Sequence, residues 1–174
     1  IYAQCSADYR DDSEITEKFF ATVQNKLHWA ISRQTAAEII HSRVDSNKPH
    51  MGLMTWKNAP AGRIRKTDVV IAKNYLDEKE LDQLNRIVTM YLDYAEMQAK
   101  HGKAMYMKDW ATRLDAFLQF NERDVLKDSG KVSHTVAVAL AEKEYEKYQL
   151  VQDKNYVSDF DREVNALLKK AKRR

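Results

Sequence analysis

Glycine and proline are scarce in these 174 residues, at four and two. Folds rich in β-strands draw on both for their many tight turns, so the shortage argues for long helices and few connections. Cysteine is scarcer still. Cys5 stands alone and cannot close an internal disulfide, which fits a reducing compartment and an inert thiol near one end. No apolar run approaches the ~18 residues that a membrane span requires. No basic-then-apolar leader pattern opens the chain either, and no membrane contact is expected. The sequence begins without Met and reads as part of a longer protein. None of the glycines is paired as GxG, which closes the P-loop and dinucleotide-fingerprint classes. A GxSxG elbow and an HExxH helix are also missing. The histidines stand at 28, 41, 50, 101 and 134, with no two at the three- or four-residue spacing that aims a pair at one ion. These gaps lead to an expectation of no metal, no cofactor and, on balance, no enzyme.

What is present is a globular composition, 44% hydrophobic and 32% charged. At this length one domain over 1–174 can bury about two-thirds of its extended surface. The formal charge of +3 does not describe a basic body. Five of the 29 basic residues fall in the last six positions, Lys169 to Arg174, which leaves 24 against 26 acidic ones. A nucleic-acid binder usually carries its basic stripe over the body of the fold.

Periodicity predicts an all-α, single-domain bundle of six or seven helices with one long irregular loop at about 47–66. Ser13 caps a first helix, with Glu14 and Glu17 in its first turn. Ile15, Phe19, Val23, Leu27 and Ile31 recur every four residues along its buried face. Thr35 and Glu38 form a capping box for a second helix over 36–44, expected to bury Ala36, Ile39, Ile40 and Val44. Pro49 ends that helix. A short helix is expected from Thr67 or Asp68 to Tyr75. Asp77 and Glu80 open the longest helix, to about Lys100, with Leu81, Leu84, Val88, Tyr91, Leu92 and Ala95 inward. Another follows over 107–120 with Trp110, Ala111, Leu114, Phe117 and Leu118 inward. Ser133 caps a helix carrying Val136, Ala137, Leu140, Ala141 and Tyr145, and Ser158 opens a last one with Phe160, Val164, Leu167 and Leu168.

Candidate functional residues concentrate before Thr67. Trp56, Lys57, Arg63, Arg65 and Lys66 mix one aromatic with four cations and no acid, the combination that stacks a base and neutralises phosphate. The same residues also suit a loop anchored by its tryptophan, with the charges left in water. Gln24 and His28 share a helix face as candidate groove residues, with a histidine hydrogen-bonded inside the core as the commoner arrangement for His28. Arg33 and His41 carry the residue types of a helical ribonuclease motif. Arg33 precedes the Thr35 cap, however, and a surface pair is the preferred reading. His50 completes the set, within a turn that also holds Met51 and Met54.

The segments FFATVQNKLHWAI, TAAEIIHSR, DSNKPHMGL, DVVIAKNYLDEKELDQLNRIV, MYMKDW, GKVSH and EKEYEKY fall in the order found in the C-terminal region of bacterial RhuM-family proteins, and the chain resembles that family over nearly its whole length. The resemblance implies a bacterial cytoplasmic protein associated with virulence or mobile elements. It also implies an N-terminal DNA-binding-like region in the full-length protein that is absent from this sequence. Some members are joined to Fic domains, but the HxFx[DE]GNGR-like loop of Fic chemistry does not occur here. No catalytic residues carry over. Two functions remain in view: an interaction or oligomerisation module that pairs with itself or a protein partner, and a nucleic-acid-binding or -processing domain built on the Trp56 to Lys66 loop.

Overall fold

A computed structural model describes residues 6–10, 14–102, 105–155 and 164. Cys5, Ser13, the basic tail and, apart from the helical Val164, the helix expected from Ser158 lie outside them. Within them are five α-helices: α1 (Glu14–Ser32), α2 (Ala36–Arg43), α3 (Glu78–Lys100), α4 (Met107–Phe120) and α5 (His134–Asn155). No strand forms among the described residues, and the only bridge joins Ser6 to Met105. The all-α class is as expected. Five are described against the six or seven expected because the helix from Ser158 lies outside the described residues and the one predicted from Thr67 forms only as turns and a 3-10 segment, Ala72–Tyr75. Asp68 there spends its carboxylate on backbone amides of the preceding loop.

At α2, α3 and α5 the caps are those the sequence encodes. Thr35 Oγ1 accepts from Glu38 N while Glu38 Oε2 accepts from Thr35 N, and Asp77 and Glu80 repeat the exchange at α3. Ser133 Oγ accepts from Val136 N at the start of α5. Capping counts most for α2, since eight residues are too few for an isolated helix. Its remaining stability comes from Ala37, Ile39 and Ile40, all buried. Ala37 takes the core place expected for Ala36, which is only half-buried.

Two apolar clusters result. One gathers α2, the loop residues Met51, Leu53, Trp56 and Ile64, and Ala137 and Ala141 of α5. These two alanines, one turn apart, let α5 lie close on α2. The other joins Phe19 and Val23 of α1 to Tyr91 and Ala95 of α3 and to Trp110, Leu114 and Leu118 of α4. Leu27 and Ile31 of α1 touch both clusters, so α1 is the shared wall.

Candidate functional site

The irregular stretch after α2 is ordered by its own polar atoms. Lys48 is extended, as a residue before proline should be. His50 and Met51 then both take left-handed backbone conformations, at φ 53° and 59°. That turn drives the Met51 side chain wholly into the core and leaves His50 outside, its ring 4.7 Å from the ring of Trp56. Trp56 is itself only 7% exposed, and its Nε1 donates to the Gly62 carbonyl at 2.7 Å. Its indole works as the peg on which residues 56–62 turn.

Asp68 is the second organiser. At 3% exposed, it accepts the Lys57 amide on Oδ1 at 3.2 Å and the Arg65 amide on Oδ2 at 2.8 Å. An Asp68→Ala variant strands both amides and should lose about 2 kcal/mol in a urea titration. An unchanged midpoint would show that water satisfies them equally well.

The loop is latched to α5. Gln152 accepts the Ile64 amide at 2.9 Å and returns a hydrogen bond to the Ile64 carbonyl at 3.1 Å. On either side, Arg63 pairs with Asp153, and Lys66 with Glu142 at 3.2 Å. Two of the four cations of the basic run therefore meet carboxylates of α5. Lys57 and Arg65 are exposed and have no described side-chain partner.

The remaining candidates fall in different places. Gln24 is exposed on α1, whereas His28, one turn on, is buried with no partner for Nδ1 among the described residues. Burial first, and the Arg43 guanidinium second, hold the His28 imidazole down to about 4. Arg43 itself grips both carboxylate oxygens of Glu80, at 2.6 and 2.7 Å, and the Tyr75 carbonyl at 2.9 Å. Arg33 and His41 do come together, as lining residues of a groove of about 310 Å³ that also includes Trp29, Glu38 and Lys131. Sequence reasoning missed Trp29 and Lys131, because nothing local connects a tryptophan on α1 with the turn before α5. It also read Asp68 as a helix start.

Helices, caps and the latched loop define an all-α helical-bundle protein, and no described helix is long and apolar enough to cross a membrane. Residues 1–157 match the Virulence protein RhuM family, and the chain belongs to that family. Neither the curated proteins nor the solved structures contain a match to it.

Proposed function

We propose that this chain is a helical interaction and self-association module of a cytoplasmic RhuM-family protein, acting beside a DNA-binding region. One observation carries the reading: an apolar strip left in solvent along the α3–α4 seam. Arg113 donates to the Tyr94 hydroxyl at 2.8 Å, and Arg123 to Gln83 at 3.1 Å, which sets the two helices antiparallel. Tyr94 and Phe117 close the seam, their ring centroids 6.5 Å apart. Helical periodicity then places Met90 and Met97 of α3, and Phe120 of α4, along its outer edge. They are 42%, 48% and 86% exposed. Apolar residues lined up like this on a charged protein commonly mark a contact surface. The nearly balanced charge of the body and the internal pairing of Arg63 and Lys66 favour this reading over a phosphate-binding loop, for which Lys57 and Arg65 are the cations still uncommitted.

Light scattering on a sizing column tests it. The expected mass is twice the 20.3 kDa of one chain, falling to one in Met97→Asp with Phe120→Asp. An unmodified chain that stays monomeric at ~100 µM, a concentration at which even weak contacts populate, overturns self-association. Nucleic-acid binding at low salt that Lys57→Ala with Arg65→Ala abolishes would favour the loop instead.

A further inference from the structure

We infer that the groove between the end of α1, the outer face of α2 and the segment entering α5 takes a nucleotide, with its base on Trp29 and its phosphate between His41 and Lys131. The inference is independent of self-association. A volume of about 310 Å³ lies at the small end of ligand sites, which run from about 300 to 1,000 Å³. It suits one planar ring and one small anionic group. Trp29 is half-buried, so α1 holds its ring while part of it lines the groove, and Val132 adds further apolar surface. Stacking on such a ring contributes about 1–3 kcal/mol per base and accepts any base.

The polar groups are distributed to match. His41 and Lys131 are exposed and neither side chain has a described hydrogen bond or ion pair, while the Lys131 charge acts on the nearby Glu38 carboxylate and favours its ionised form. Arg33 also lines the groove, but its guanidinium is tied to Asp124. Glu38 is the carboxylate among the lining residues, and its oxygens are engaged by the Thr35 amide at 2.8 Å and the Lys131 amide at 2.7 Å. Those two amides hold its charge in place, and the second also docks the Lys131 segment on α2 before any ligand arrives. Gln34 donates its Nε2 to Ser42 Oγ at 3.0 Å. Its carbonyl oxygen is left to accept from an exocyclic amine, which makes adenine a sensible first base to try.

The test uses the full chain, AMP and a labelled eight-nucleotide oligo(dA). AMP should quench tryptophan emission through Trp29, because Trp56 and Trp110 are 7% and 0% exposed. His41→Ala with Lys131→Ala should weaken binding at least about tenfold at unchanged Tm, since both side chains are in solvent, and Trp29→Leu should abolish the quenching. Similar affinity for AMP and oligo(dA) identifies a free nucleotide. Tighter, salt-dependent oligo(dA) binding that the same variants weaken identifies a unit of a single strand. No quenching by AMP together with no oligonucleotide binding at low salt overturns the inference, as does binding that the double variant leaves unchanged. Light scattering on these variants keeps the result separate from the α3–α4 seam, which none of the substitutions touches.

Discussion

Gly52→Ala is expected to be strongly damaging for a single-methyl addition, costing about 3 kcal/mol. The backbone at Gly52 sits at φ +81°, and an added Cβ would lie 2.4 Å from the carbonyl oxygen of Arg43. That oxygen belongs to the last turn of α2 and cannot step aside without opening the helix end. Gly102 provides the control: its φ is +67°, with nothing within 4 Å of the corresponding Cβ. Alanine there meets only the conformational penalty, about 1 kcal/mol. The difference between the two urea midpoints therefore measures how tightly the His50–Gly52 turn is pressed against α2. Equal losses at both positions would mean that the turn yields.

Acidification should produce the second large effect. His28 has an ordinary value of 6.5 in the unfolded chain and about 4 in the folded one. Between those limits the unfolded chain binds the extra proton, so stability is full above pH 6.5 and is lost as the pH falls toward 4. The gap corresponds to up to about 3 kcal/mol. Glu38, Glu80 and Glu144 have lowered values, Glu144 about 2, and their contributions fade only below 4.5. The interval from 6.5 to 4.5 thus isolates His28 from them. Urea unfolding across that interval should show a steep loss in the native chain and a flatter profile in His28→Leu. Parallel slopes in both would assign the pH response to other groups.

Signals that act within a few residues were legible. The Thr35 and Asp77 capping boxes, the Ser133 cap and the four-residue stripe through Phe19 and Val23 all appear where the sequence puts them. The loop was not readable in the same way. Trp56 is held by a carbonyl six residues on, and Ile64 by a glutamine eighty-eight residues on, and neither bond has a periodic signature. Asp68 looked like a cap because aspartate before an apolar run usually is one. Here its oxygens were claimed by Lys57 and Arg65 amides. At the groove the pairing of Arg33 with His41 was open to inspection, yet a gap that crosses a helix start does not fix whether two side chains meet. The left-handed backbone at Arg33, φ 58°, is what turns the chain there.

The clasp between Gln152 and Ile64 has a consequence for how the molecule breathes. An isolated loop of this length would exchange its amide hydrogens on its own schedule. Here the Ile64 amide ends on a side chain of α5, with ion pairs to Asp153 and Glu142 beside it. Releasing that amide to solvent means lifting α5 or breaking the clasp, so the loop and the far half of α5 form one opening unit. A ligand or partner that tightens α5 would be felt at Trp56 without touching it.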